Sequence, residues 1–231
     1  IDRNGHVWIN GNNCPALNLP GLQPVADDAL LKFTLDGKFL LQIGKSNASK
    51  GDADTANVHR AADAWVHSRT NEIFVADGYG KFYIHHYDAK TNYIRTFGGS
   101  RDLMNRDPKI ETAAGSTIWP HAVGIDVRNG APMLAIGERG ANSRVQYFSL
   151  DGRPMHAIKE GVRWPSTFDY KGDLCLMPDL KAVVTIFDRN NKPIVQLGDG
   201  MQADGKTYEG LRTLDRDKFT PGKFIAPHAA C

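Results

Sequence analysis

The chain has 231 residues, of which 41% are hydrophobic and 23% charged, with 28 basic and 26 acidic side chains. This composition indicates a globular protein and excludes the disordered, collagen-like and disulfide-rich classes, and without a basic stripe nucleic acid is not an expected partner. No stretch approaches the roughly 18 apolar residues that a membrane-spanning helix needs, and no signal peptide is recognisable. The 23 Gly, 12 Pro and 10 Phe favour a fold of strands and turns.

A hairpin pattern recurs four times along the chain: an aromatic residue, an Asp, a turn and then alternating apolar residues. This pattern predicts β-hairpins, in chain order at residues 33–44, 87–98, from 148 through the turn at 151–152, and 187–198. A short strand is predicted before each hairpin, at 7–10, 73–76, 133–136 and 174–177. Innermost strands are predicted at 62–66, 121–126 and 166–169. Each repeat therefore contains four strands wherever all of its strands can be recognised in the sequence.

The spacing of the hairpins predicts a β-propeller. Their first aromatic residues follow one another at intervals of 54, 61 and 39 residues. About 40 residues is the period of a four-stranded propeller blade, and the excess falls in polar stretches around 45–59 and 100–118. We expect an all-β fold, a β-propeller of four-stranded antiparallel blades of which about four are visible. A β-sandwich is the alternative, but it gives no reason for this repeat.

The ends of the chain leave the number of blades open. The sequence starts at Ile1 without Met, and residues 226–231 resemble the opening strand of a further blade. We therefore treat residues 1–231 as a single β-propeller domain that is incomplete at both ends. Alternatively, the two termini complete one blade together. A closed four-bladed ring and part of a six-bladed one both fit the sequence.

Blade geometry predicts a polar site at the mouth of the channel. The start of each inner strand and the loop between the second and third strands lie on one face of a propeller. His121 and His228 each follow Pro at inner-strand starts, while Tyr79 and Arg139 lie in second-to-third-strand loops. Converging neutral imidazoles favour zinc. The alternatives are that each His caps a strand, that Tyr79 only forms a turn, and that Arg139 pairs with Glu138.

The remaining histidines and polar clusters do not predict a further site. We expect five other histidines to be solvated: His6, His67, His85, His86 and His156. The polar clusters at 12–13 and 52–54 suit Ca²⁺, but ordinary loop polarity explains them better. No nucleophile elbow, P-loop or dinucleotide fingerprint occurs, so serine hydrolase and nucleotide-binding functions lack support.

Three segments, at residues 73–80, 118–125 and 135–139, resemble the NHL-repeat propellers and, within them, the peptidyl-α-hydroxyglycine α-amidating lyases. The resemblance covers roughly residues 1–200 and the last few. It implies a six-bladed propeller with a His-bound zinc in the channel, which cleaves a carbinolamide C–N bond and releases an amide and glyoxylate. It further implies that Tyr79 is the catalytic base, that His121 and His228 are zinc ligands, and that Arg139 holds the negative charge of the substrate.

The chain departs from this family at two metal positions. The remaining zinc His of the family corresponds to an insertion at residues 12–28, which contains no His, and Asp28 is the nearest substitute. The family follows its last His with an Asp that contributes to a structural calcium site. Here Ala229 follows His228, which argues against calcium.

Two functions from different classes follow. The first is a metal-dependent, lyase-like enzyme that acts on a small or peptidyl carbinolamide at the channel mouth. The second is a non-catalytic NHL propeller that binds a protein or glycan partner through its top face. A lactonase-like hydrolase is a third option, but few acidic residues lie at the mouth positions to ligate its metal. The resemblance implies a periplasmic or extracellular location.

Overall fold

The computed structural model describes residues 1–11, 28–99, 113–140, 143–201 and 215–231. Its strands form four antiparallel meanders, each connected in chain order. The first contains β1 (Val7–Gly11), β2 (Ala29–Phe33) and β3 (Phe39–Ile43). The second contains β4 (Asp63–Val66), β5 (Ile73–Asp77), β6 (Tyr83–Tyr87) and β7 (Tyr93–Gly98). The third contains β8 (Pro120–Asp126), β9 (Met133–Glu138), β10 (Arg144–Phe148) and β11 (Pro154–Ile158). The fourth contains β12 (Asp169–Lys171), β13 (Leu174–Asp179), β14 (Val183–Phe187) and β15 (Pro193–Leu197).

The predicted fold class is confirmed: the chain is all-β and is built from the four-stranded antiparallel blades of a β-propeller. Three of the sheets have four strands, and the first has three strands within the described residues. The only helical segment described is a single 3₁₀ turn at Arg216–Lys218. Among the residues that the structure describes, no helix is long and apolar enough to cross a membrane. The predicted insertion at 12–28 lies outside the described residues except for Asp28.

The predicted strand at 166–169 is wrong in part, and the one predicted at 226–231 does not form. The innermost strand of the fourth sheet starts at Asp169 rather than 166, after an isolated bridge between Pro165 and Asp179. Ser166 donates its amide to the Pro178 carbonyl, but Pro178 has no N–H with which to continue the ladder. Residues 226–231, which were expected to open a further blade, form no strand.

All four predicted hairpins use the same turn. In the first, the Thr34 amide donates to the Lys38 carbonyl at 2.9 Å and Gly37 adopts a left-handed φ of 87°. The equivalent residues of the other hairpins, Thr91, Gly152 and Asn191, also have positive φ. A register shift follows at each turn, as expected for a three-residue hairpin with a bulge. The repeat seen in the sequence is therefore a repeat of turn geometry.

The described residues divide into two compact units. The first holds residues 1–99 and 115–123, and the second holds residues 113–114 and those from 124 onward. In the first unit, a core of buried aliphatic side chains closes over Tyr87: Leu30, Ile43, Val58, Ala61, Ile73 and Val75. In the second, the middle strands of the two sheets are the most buried, with Leu134, Ile136, Tyr147, Phe148, Met177 and Phe187 almost inaccessible. In both units the middle strands bury apolar residues, while the outer strands remain exposed.

Candidate functional site

The loop after β5 packs against the starts of two inner strands of the first unit. The carbonyl of Asp77 accepts amide hydrogen bonds from the turn that follows, which fixes the loop. A Cβ atom on Gly78 would lie 1.9 Å from the Pro120 carbonyl oxygen, and one on Gly80 would lie 1.9 Å from that of His59. Glycine is therefore required at both positions. The predicted arrangement, with second-to-third-strand loops beside inner-strand starts, is confirmed here.

This packing brings two predicted site residues together. The rings of Tyr79 and His121 meet edge to face, with centroids 5.5 Å apart. Tyr79 is 37% exposed, whereas His121 is buried. The amide of Tyr79 donates to the carbonyl of Arg60 at 3.4 Å. A partly exposed phenol thus stands against an imidazole at the end of the loop.

Two buried carboxylates hold the segment that precedes β4. Asp77 Oδ2 accepts the His59 amide at 2.7 Å, and Asp28 Oδ1 accepts the Arg60 amide at 2.9 Å. Asp28 and Asp77 are at most 1% exposed. We refer to Asp28, His59, Arg60, Asp77, Tyr79 and His121 as the Tyr79 cluster. Arg60 is bulky and has a positive φ of 63°, a backbone conformation that is uncommon and is often found at functional sites.

The Tyr79 cluster contains buried polar atoms without hydrogen-bond partners among the described residues. They are Asp28 Oδ2, His59 Nδ1, Arg60 Nε and Asp77 Oδ1. Two of these atoms, Asp28 Oδ2 and His59 Nδ1, lie 3.4 Å apart, within the distance of an ion pair. Because most buried polar groups in proteins are satisfied, four such atoms around two consecutive peptide units need an explanation. A ligand or ion is one.

Three histidines that were expected to be solvated are buried instead. His85 accepts or donates at both ring nitrogens, at 3.1 Å to Asp77 Oδ2 and 2.8 Å to Thr96 Oγ1. The His86 ring stacks on Phe74 with centroids 4.2 Å apart, and burial lowers the pKa of His86. His67 is 4% exposed because its ring caps a turn. His85 and His86 are buried on opposite faces of β6 because both faces of this middle strand are covered.

Asp63 lies at the start of β4 and is partly exposed. Its two carboxyl oxygens accept amides from Ala64 at 2.8 Å and Val123 at 3.0 Å. Burial raises the pKa of Asp63 to about 7, well above the ordinary value of 3.8. This carboxyl is therefore a group that titrates near neutral pH within the first unit.

We expect Asp63 to make folding stability fall as the pH rises. Its folded-state pKa is raised, so its contribution is fully present below about pH 4 and is lost as the pH rises through 7. Asp63→Asn stays neutral, so in urea denaturation the stability of this variant relative to wild type should improve as the pH rises from 5 to about 7 and then level off. Asp88→Asn is the control: hydrogen bonds lower the pKa of Asp88, so the stability difference between this variant and wild type should stay constant over the same pH range. A constant difference for both variants would contradict the prediction.

Arg139 lies in the second unit and is held by the start of an inner strand. Its guanidinium donates to the Pro165 carbonyl at 2.9 Å and to Ser166 Oγ at 2.8 Å, and the residue is buried. Glu138 accepts hydrogen bonds from Arg144 at 2.9 Å and from Gln146. Arg139 therefore anchors the neighbouring strand, a structural role that the sequence did not indicate.

Asp179 repeats in the second unit what Asp77 does in the first. Its Oδ2 accepts the amides of Arg163 and Trp164, each at 2.6 Å. Burial raises the pKa of Asp179. An acid at the end of the second strand thus holds the segment before the inner strand in both blades. Some of the polar residues at the predicted mouth positions therefore have a structural role within their blade.

The predicted metal ligands are distributed over both units. His121 and Asp28 lie in the first unit, whereas His228 is an exposed residue of the second unit, outside any strand. Over the ranges that the structure describes, no group of three or more His, Cys, Asp or Glu side chains is arranged to hold a metal. The zinc assignment and the argument against calcium both stay predictions. His59 and Arg60 were missed because they precede the predicted strand without the Pro that marked His121.

No protein-family model matches the chain, and no curated protein matches its sequence. Among solved structures, the chain is similar to a protein of unknown function from Bacteroides caccae, with 14% identity over 74% of this chain and 54% of that chain, at a TM-score of 0.48. It is also similar to a chain of a nidogen/laminin complex, with 15% identity over 74% of this chain and 56% of that one, at a TM-score of 0.49. The chain spans about half the length of both structures. The blade assignment rests on strand order and register.

Proposed function

We propose that the chain is a lyase-like enzyme that cleaves a small or peptidyl carbinolamide at the Tyr79 cluster. The observation that supports this most directly is the contact between Tyr79 and His121, with ring centroids 5.5 Å apart. A tyrosine that has given its own proton to a neighbouring imidazole can, as the phenolate, accept and return a proton. The partial exposure of Tyr79 leaves room for a substrate to reach it.

The proposed reaction is a redox-neutral elimination. Tyr79 takes the proton from the substrate hydroxyl, and the O–H electron pair forms the carbonyl of glyoxylate. The C–N bond breaks, its electron pair goes to nitrogen, and the same proton is delivered there to give the amide. The chain's own task is to position the hydroxyl and to move one proton.

The carboxylate of such a substrate needs a cation near Tyr79. We propose Arg60 for this role, because its carbonyl accepts the Tyr79 amide and its buried Nε has no acceptor among the described residues. A guanidinium suits a carboxylate because it donates in a planar fork. Arg139 was predicted for the same role, but its guanidinium already donates to two groups of the second unit.

The test is release of glyoxylate from an N-acyl-α-hydroxyglycine by the purified chain, compared with the spontaneous reaction. We expect turnover above background, and we expect His121→Gln to lower it by about tenfold or more because the imidazole contact with Tyr79 is lost. His156→Gln is the matched control, since the His156 ring also contacts a tyrosine, Tyr147, at 4.5 Å. Background rates for wild type, or equal losses in both variants, would refute the proposal.

A non-catalytic binding propeller is the second candidate. A groove of about 690 Å³ in the first unit favours it, because ligand sites span roughly 300–1,000 Å³. Its lining includes Tyr93, Lys45 and Lys50, and none of the residues of the Tyr79 cluster. Absence of turnover in correctly folded wild-type protein would favour this function. The predicted extracytoplasmic location stays a prediction under either candidate.

A further inference from the structure

The groove of the first unit is built largely by residues that a propeller blade does not require. It has a volume of about 690 Å³, and its lining comes from two parts of the chain. The first part is residues 42–45, 48, 50 and 55–57, and the second is Tyr87, Thr91 and Tyr93. Most of the first part belongs to the polar stretch at 45–59, which makes the first repeat longer than a blade. This loop therefore adds a groove to the blade.

Polar contacts brace the loop at residues 45–57. Asp54 accepts the Lys50 amide and the side-chain amide of Asn57, each at 3.0 Å. Lys81 is buried, and its ammonium donates to the carbonyls of Asp54 at 2.8 Å and Asn57 at 2.6 Å. A buried ammonium needs such partners, so Lys81 fixes the loop to the blade. The groove is thus formed before any ligand arrives, as small-molecule sites usually are.

The charged side chains of the lining are both positive. Lys45 and Lys50 are exposed, and no acidic residue lines the groove in the part of the chain that the structure describes. Both carboxyl oxygens of Asp54 and of Asp88 accept hydrogen bonds from their own turns. Asp52 lies in the same loop but is not a lining residue. Two ammonium groups in this setting favour an anionic ligand.

The rest of the lining suits a sugar. The exposed ring of Tyr93 is held by an edge-to-face contact with Tyr87, at 6.1 Å between centroids, while its hydroxyl donates to Thr96 at 3.1 Å. A ring held in this way offers an apolar face to the C–H groups of a sugar, whereas an acidic peptide would use only the two ammonium groups. Side chains that can hydrogen-bond to sugar hydroxyls complete the lining: Gln42, Thr55, Asn57 and Thr91.

We infer that this groove binds an acidic saccharide, whose acid group pairs with Lys45 and Lys50 and whose sugar ring packs on Tyr93. Uronic acids and sulfated sugars share this chemistry, because both join an anionic group to a hydroxylated ring. The inference goes beyond the proposed lyase and does not depend on it, since the groove and the Tyr79 cluster have no residue in common.

The test is calorimetric titration of the whole chain with the trisaccharide of galacturonic acid. We expect it to bind about tenfold more tightly than its methyl ester, which keeps the rings but loses the charges. Lys45→Gln and Lys50→Gln should each weaken binding by about threefold to tenfold, and both should fold because the two side chains are exposed. Lys38→Gln is the matched control: Lys38 is exposed between β2 and β3, does not line the groove and should bind as wild type does.

A sulfated trisaccharide is the second ligand in this experiment. Tighter binding of the sulfated or of the uronic form supports the inference and identifies the acid group. Affinities weaker than about 1 mM for both forms would overturn the inference, as would equal binding of the methyl ester or of triglutamate. Equal losses in Lys38→Gln and the two groove variants would also overturn it. The titration needs no turnover, so the groove and the lyase proposals fail separately.

Discussion

Tyr79→Phe should lower kcat for glyoxylate release by about 100-fold to 10,000-fold, the range by which a positioned acid–base group accelerates proton transfer. The substitution removes only the hydroxyl. The edge-to-face contact with His121 depends on the ring, so it should remain, and with it the fold and the KM. The measurement is steady-state kinetics with an N-acyl-α-hydroxyglycine, together with circular dichroism of the variant.

Tyr93→Phe is the matched control for this prediction. Tyr93 is 38% exposed, compared with 37% for Tyr79, and its ring also meets an aromatic neighbour edge to face, with the Tyr87 centroid 6.1 Å away. Its hydroxyl donates to Thr96, outside the Tyr79 cluster. We expect its kcat to stay within about twofold of wild type. If both variants lose the same activity, or neither does, Tyr79 does not move the proton.

The strands were largely predictable because blade strands and turns leave local signals. Asp-Gly and Asn-Lys turns at fixed distances after an aromatic residue correspond to the observed left-handed residues Gly37, Gly152 and Asn191. The innermost strand of the fourth sheet was predicted to start too early. The apolar pattern of that strand carries no information about Pro178 in the neighbouring strand β13, which has no N–H to donate. Local sequence pattern therefore identifies turns well, but it shows less well where the hydrogen bonding between two strands continues.

The site was predictable only where a loop and a strand start carried marked residues. Tyr79 and His121 were correctly expected on one face because blade topology alone places them there. The contact between Asp28 and His59 joins side chains 31 positions apart, which no local pattern reveals. Arg139 shows the converse: a residue type that suggests substrate binding is used to anchor a neighbouring strand.

Arg128→Ala should destabilise the second unit by about 3–5 kcal/mol, the usual effect of removing one partner of a buried ion pair. Arg128 and Asp126 are at most 5% exposed, and Nη2 of Arg128 lies 2.6 Å from Asp126 Oδ2. The same guanidinium donates to the Asp188 carbonyl and to Asn191 Oδ1, both at 2.6 Å, in the turn between β14 and β15. Without Arg128, Asp126 keeps a buried charge and that turn loses two donors. Chemical denaturation measures the effect.

Arg153→Ala is the control, because Arg153 is exposed in the turn between β10 and β11, and its variant should stay within about 0.5 kcal/mol of wild type. A double variant then separates the destabilisation caused by the unpaired charge from that caused by the hydrogen bonds lost in the turn. Asp126→Asn combined with Arg128→Ala removes the uncompensated carboxylate, so it should be less destabilised than the two single variants added together. The loss that remains belongs to the hydrogen bonds with Asp188 and Asn191. Strict additivity would mean that Arg128 acts on the turn alone, and that Asp126 tolerates burial without its partner.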